Sequence, residues 1–365
     1  MLVFIDCFSD VEDPRAENAL HDLVEMLFIA LLATLAGATS CSEMADFGRY
    51  KEELLRKVLK LEHGIPSHDT FSRIFRLLEP KSFETSFVRF MKAFGESLAK
   101  LAGTPNVIAF DGKALKRAYD TGASHMPRMI VEAWGAQTRM VLASMLAPDR
   151  DETQAVHQLL DLVQLNGAVV TGDALHCNRT TVDKIVERGG DYVLAIKGNQ
   201  NGLYPDVVAL IAAKGGRTPR AKTKEYGHGR NEMRSAVVVA AQQLGAKHNF
   251  RNLAAVARIT SRRHKDDPVE RYFICSRLYP PEELLKIVRT HWSIENGLHW
   301  VLDVVLDEDQ ARNRKDHGPA NLATLKRLAL NVARAHPDQK TSMRRKIRHA
   351  SWDDGYLLEL VHHVR

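Results

Sequence analysis

The apolar positions of the chain change their period near residue 104. Before it, every segment reads at helical spacing. Residues 22–36 form an apolar run that Gly37 can end. Residues 43–61 interleave charges with Leu54, Leu55, Val58 and Leu59, the pattern of an amphipathic helix. In GIPSHDTFSRIFRLLEP, Pro66 and Ser67 make a turn and an N-cap, and Asp69 lies in the first turn. Phe71, Ile74, Phe75 and Leu78 then follow helical spacing. Two short helices joined by a tight turn fit helix-turn-helix DNA binding. A small bundle packed on the next domain fits as well, and is the simpler account.

Beyond residue 104 the pattern becomes short buried runs. NVIAF (106–110) predicts a strand ending at Asp111, and residues 128–134 and 139–146 predict two more. An amphipathic helix follows over 153–165. AVVT (168–171) is a fourth strand leading into Gly172-Asp173. A helix over 180–188 ends at Gly189-Gly190, and 192–196 is a fifth strand. Three meandering strands followed by alternating helices and strands indicate an α/β mixed sheet. This is the order of a ribonuclease-H-like domain. Residues 214–281 leave that alternation. Residues 214–234 carry seven Lys or Arg against Glu225 and Glu232, and strand-like runs follow at 235–241, 253–260 and 270–276. The stretch reads as a β-rich insertion with a basic approach. Pro280-Pro281 restarts helix, over 282–309 and again over 320–335. The division expected is an all-helical N-terminal domain (1–103), a candidate for DNA-end binding, then a catalytic domain (104–335) and a basic C-terminal tail (336–365).

Composition adds limits. A chain of 365 residues holds two or three domains. The net charge of +6 and a pI near 9.1 lean toward a polyanionic partner. Four scattered cysteines with no CxxC pair indicate neither a zinc ribbon nor a disulfide framework, and fit a reducing cytoplasm. The first ten residues lack a basic leader. The longest apolar stretch, residues 26–38, is shorter than the ~20 residues a spanning helix needs, so no membrane span is expected.

Three acids stand out. Asp111 and Asp173 each follow a short apolar strand, which puts a carboxylate at the rim of the sheet where ligands bind. Paired carboxylates suit hard ions such as Mg²⁺. Two ions ~3.5–4 Å apart stabilise both the attacking and the leaving oxygen at a phosphodiester. Either Asp alone is better read as a helix cap or turn residue. Glu295 lies among large apolar residues, and His291, Glu295 and His299 are spaced by four, on one helical face. A zinc site from these three is an alternative. The carboxylates elsewhere favour magnesium.

With these residues in place, the chain resembles the DDE transposases of bacterial insertion sequences, in the H-repeat-associated (ISAs-type) group. The resemblance runs through VIAFDGKALKRA, VVTGDALHCNRTTVDKI with DYVLAIKGNQ, HGRNEMR, and HWSIENGLHWVLDVVLDEDQARNR with NLATLKRLALN. GIPSHDTFSRIF, with DPR before it, is similar to that group's leading domain. The matches cover nearly the whole chain in order. The resemblance implies a catalytic, metal-binding triad of Asp111, Asp173 and Glu295, with two Mg²⁺ or Mn²⁺ ions. It implies metal-dependent cleavage of DNA strands at insertion-sequence ends and transfer of the freed 3′-hydroxyl to target DNA. The implied partners are double-stranded DNA and a second copy in a synaptic homodimer, in the cytoplasm at the nucleoid. Lys113, Lys116, Arg117, Arg230, Arg312 and Arg314 are candidates for DNA contact, with His291 and His299 in support. The chain departs from related transposases in one respect. His291 and Leu302 stand where an Arg and a Lys often flank the Glu, and Arg289, Arg312, Arg314 and Lys315 are candidate substitutes. Two other readings remain: a structure-specific endonuclease on the same fold, and a domesticated, catalytically inactive DNA-binding protein.

Overall fold

The computed structural model describes residues 2–98, 106–119, 126–227, 230–263 and 266–362. The N-terminal third is helical, as its pattern predicts: α1 (Leu2–Phe8), α2 (Leu23–Leu35), α3 (Cys41–Tyr50), α4 (Glu52–Leu55), α5 (His68–Leu77) and α6 (Pro80–Leu98). Asp22, Ser40 and Ser67 cap α2, α3 and α5, each side chain accepting from a backbone N–H three residues on. After α2 the chain turns at Gly37, whose φ of +97° favours glycine. Nearly all of α2 is buried, so its apolar run is core. Among the described residues no helix is long and apolar enough to cross a membrane. Phe71, Ile74 and Phe75 of α5 are likewise buried, so packing accounts for their spacing.

The remainder is built on one nine-stranded mixed sheet. Its strands are β1 (Asn106–Tyr119), β2 (Pro127–Gly135), β3 (Met140–Leu146), β4 (Ala168–Gly172), β5 (Asp191–Ile196), β6 (Arg220–Gly227), β7 (Arg230–Ala240), β8 (Ala255–Arg263) and β9 (Val269–Cys275). The order is β3-β2-β1-β4-β5-β9-β8-β7-β6. β1, β4 and β5 run parallel and the other pairings are antiparallel. The first five strands are the ribonuclease-H-like arrangement. The insertion strands extend that sheet from β5. The basic approach is the end of α9 (Leu203–Lys214) followed by the β6–β7 hairpin.

Helices α7 (Glu152–Leu162) and α8 (Arg179–Glu187) are the predicted crossovers, whereas α9 and α10 (Gln242–His248) are additional. The predicted helix over 282–309 is broken. α11 (Pro281–His291) gives way to a π-turn over Glu295–His299, in which Trp300 N–H donates to Glu295 O, and then to α12 (Trp300–Val304). α11 touches β1 and β4 and also β6 and β7, which lie far apart in the strand order, so the twisted sheet curls round it.

Helix α13 (Gly318–Ala335) is buried from Gly318 to Arg334 and joins the N-terminal helices to the sheet. Its polar residues satisfy backbone groups that would otherwise be orphaned. Asn321 donates to Phe75 O and Leu78 O at the end of α5. Asn331 exchanges two hydrogen bonds with Val141 of the edge strand β3. The expected basic tail is instead two docked helices, α14 (Met343–Trp352) and α15 (Asp354–Leu360). Lys346 is buried and donates to Ala333 O, which removes it from the basic surface.

Candidate active site

β1 does not end at Asp111. It continues to Tyr119 against β2, while its parallel partner β4 stops at Gly172. The sheet therefore splits beside Asp111. Ala109 pairs with Thr171, so Asp111 and Asp173 leave the shared register side by side. Asp111 lies opposite Glu132 on β2 and accepts from Gly112 N–H at 3.0 Å. Burial pushes its carboxyl up to about 6; His299 opposes the rise, and the neighbouring Glu132 and Asp173 add to it. Asp173 is half exposed and accepts from Leu175 N–H at 2.9 Å. The buried His176 stands 3.8 Å from it.

The broken helix anchors to this split at two points. His291, closing α11, is 3.0 Å from Thr171 Oγ1, and burial lowers it to about 4, so it is neutral near pH 7. His299, closing the π-turn, reaches Glu132 at 3.0 Å and stands 3.9 Å from Asp111. Burial works against its protonation, but Glu132 and Asp111 outweigh burial and raise its pKa. In an unbroken α-helix these residues would be offset by about 80° around the axis. The π-turn takes up that offset, a device frequent at functional sites.

Glu295 lies between the two anchors in sequence, but its side chain is exposed. It lines a cleft of about 910 Å³. Asp111 and Asp173 are thus brought together, and Glu295 is not gathered with them. Among the described residues no three His, Cys, Asp or Glu side chains are gathered as a metal site, which includes the zinc set of His291, Glu295 and His299.

The basic candidates divide. Lys113 is buried, 2.7 Å from Asp303, 3.4 Å from Asp309 and 3.5 Å from Glu308. It is a counterion for that cluster and is not placed for phosphate contact. Lys116 is exposed and 2.6 Å from Asp309. Arg117 sits at the β1 irregularity with a φ of +72°. Arg312 and Arg314 are exposed on the loop before α13. Arg230 opens β7, and its side chain lies outside the described residues. Residues 307–309, at the end of the helix expected over 282–309, fold back: Asp307 turns at φ +52° and Glu308 is buried.

Three residues escaped the sequence reading. Glu132 and Arg327 are fully buried and ion-paired, and Arg327 also binds Glu308 at 2.7 Å. Glu132 is driven down to about 2: burial raises it, but Arg327 and then His299 overcome that. Their signal was a charged residue inside an apolar run, MIVEAW and TLKRLAL. Glu152, at the start of α7, lies over Gly112, where a Cβ would overlap Glu152 Oε2. Its carboxyl is raised by burial and then by Asp173.

Two family signatures match the chain: the transposase DDE domain over residues 102–332, and the DDE_Tnp_1-associated domain over residues 5–91. "H repeat-associated putative transposase YhhI" of Escherichia coli (strain K12) is 28% identical over 93% of this chain and 92% of its own length. "Putative transposase YncI" of Escherichia coli O157:H7 is 30% identical over 98% and 94%. A cryo-EM structure of the piggyBac transposase synaptic complex with hairpin DNA aligns at a TM-score of 0.45 and 12% identity, over 98% of this chain and 80% of that one. With the DDE domain spanning most of its length, the chain belongs to the transposase DDE domain family.

Proposed function

We propose that this protein cuts DNA at the ends of an insertion sequence and joins the freed 3′-hydroxyl to target DNA. The observation that carries the reading is Asp111 beside Asp173 at the split between β1 and β4, with Asp111 raised to about 6. Two oxygen-donor carboxylates held this close favour a hard divalent cation between them. Bound there, Mg²⁺ or Mn²⁺ would supply a polarised phosphodiester and an activated water or hydroxyl. Asp111 and Asp173 are the residues to hold it. Glu295 is assigned as the third acid because its segment is tied by His291 to Thr171, two residues before Asp173, and by His299 to Glu132, opposite Asp111.

The chain's own contribution is positioning and charge. His299, paired with Glu132, offsets part of the negative charge at Asp111. Neutral His291 fixes the end of α11 to Thr171 and leaves Asp173 free to bind. Lys116, Arg117, Arg312 and Arg314 supply basic surface for duplex DNA, and a homodimer would bring two ends together. The test is incubation with duplex element-end DNA and Mg²⁺, followed by separation of cut and joined strands. Joined products lost in Asp111→Asn and Asp173→Asn, with folding intact, are expected. Cleavage without joining would favour the endonuclease, and full activity in either variant would refute the assignment.

A further inference from the structure

The cleft of about 910 Å³ beside the π-turn lies outside the paired acids and is unlike them in charge. Five arginines line it, from five places in the chain: Arg139 after β2, Arg234 on β7, Arg263 on β8, Arg271 on β9 and Arg289 on α11. Among its described lining residues the acids are Glu232, which pairs with Arg234 at 2.6 Å and Arg263 at 3.4 Å, and Glu295, so the arginines outnumber them. Arg139, Arg263, Arg271 and Arg289 are exposed. Convergence of five cations from separate elements on one trough sets up a field for a polyanion.

The floor is of another kind. Ile259, Phe273, Leu285 and Val288 line it, and the half-open Trp292 carries the Arg271 guanidinium 4.9 Å from its ring centre. A duplex presents its phosphates outward and hides its base faces, so an apolar floor gives it little. A single strand offers both phosphates for arginines and base faces for an aromatic and aliphatic surface. We propose that this cleft binds single-stranded DNA, the strand freed when an end is cut. The inference rests on the transposase reading. Glu295 lines the cleft, on the same turn whose His299 stands 3.9 Å from Asp111, so cleft and paired acids share that turn.

The test is binding, measured without divalent metal so that no cleavage is needed. Fluorescence anisotropy compares a labelled oligothymidylate of roughly 20 nucleotides with a duplex of equal length, at several salt concentrations. The double variant Arg139→Ala/Arg271→Ala is expected to bind the single strand about tenfold more weakly. Its log K against log salt should flatten by about 1.4, at about 0.7 for each phosphate no longer neutralised. Trp292→Ala should weaken the same binding about fivefold or more with an unchanged slope, because stacking carries no counterion. Arg263→Ala, on an exposed side chain, serves if the double variant does not fold. Unchanged single-strand affinity in folded variants, or a loss confined to the duplex, overturns the cleft assignment. Cleavage that survives Asp111→Asn would sink the transposase reading instead, whatever the binding shows.

Discussion

His299 donates from Nε2 to Glu132 Oε2 at 3.0 Å, while its Nδ1 stands 3.9 Å from Asp111 Oδ2. One imidazole thus lies between two acid side chains that face each other across β1 and β2. Arg327 grips the second oxygen of Glu132 from the core, so Glu132 cannot turn away. The π-turn, the sheet split and the buried helix α13 meet at this contact. It makes the acid pair tolerable before any cation arrives, and only partly so, because Asp111 remains raised.

The raised Asp111 sets a pH dependence in the metal-free protein. Its folded value of about 6 exceeds the ordinary 3.8, so the folded form binds the proton more tightly than the unfolded chain. The stabilising effect is full below about pH 4 and is lost as pH rises through 6. Asp111→Asn escapes that loss. Its unfolding free energy at pH 7 should exceed the wild type's by about 2–3 kcal/mol, and the gap should close near pH 4. Added Mg²⁺ should raise the melting temperature of the wild type and leave the variant unmoved. Calorimetry over pH 4–8 checks both, and a less stable variant at pH 7 would contradict the account.

Lys113 and Lys116 separate structure from surface. Lys113 is enclosed by Asp303, Glu308 and Asp309, and removing it leaves buried charge unpaired. Lys113→Ala should cost about 3 kcal/mol in urea unfolding. Lys116→Ala breaks one exposed pair and should cost under about 1 kcal/mol. Salt titration of duplex binding should respond to the Lys116 variant alone. A flatter slope with Lys113→Ala at unchanged stability would restore Lys113 as a phosphate contact.

The strands were legible because they are continuous apolar runs, and the two aspartates followed from where those runs stop. That β1 continues past Asp111 was not legible. Its second half is GKALKRAY, whose Lys113 is buried only because Asp303, Glu308 and Asp309 come to meet it from 190 residues or more along the chain. The same long-range pairing folds residues 307–309 back, so the helix expected over 282–309 does not run on to Asp309. The break at Trp292 carries no proline signal, and a glycine, Gly297, lies inside the π-turn that follows. It is set by tertiary contacts: His291 to Thr171, His299 to Glu132, and Arg334, which donates to Gly297 O and lies over the Trp134 ring.

Glu152 and Gly112 give a paired test. The carboxylate lies where a Gly112 side chain would be, beside Asp173. Gly112→Ala would push aside the far end of a flexible side chain, so stability should change by less than about 1 kcal/mol. If Glu152 serves the cation site from this position, Gly112→Ala and Glu152→Gln should each lower Mg²⁺ affinity and cleavage rate about tenfold. The double variant should be no worse than either alone, because both remove one interaction. Independent, multiplying losses in the cleavage assay would show that the two residues act separately.

The last prediction decides which acid of the broken helix is the third of the site. Asp303 holds the buried Lys113 at 2.7 Å, and its carboxylate is occupied by that pair. Glu295 is exposed, and its segment is fixed at both ends to the strands that carry Asp111 and Asp173, or to their neighbour β2. The two substitutions should therefore fail in opposite assays. Glu295→Gln keeps size and shape on a solvent-facing side chain, so unfolding should be unchanged while cleavage falls about a hundredfold or more. Asp303→Asn leaves Lys113 its two other carboxylates, so the protein should lose about 1–2 kcal/mol and still cut DNA at close to the wild-type rate. Cleavage rates and urea unfolding measured on the same preparations read both. Cleavage abolished by Asp303→Asn at full stability, with Glu295→Gln still active, would move the third acid to Asp303.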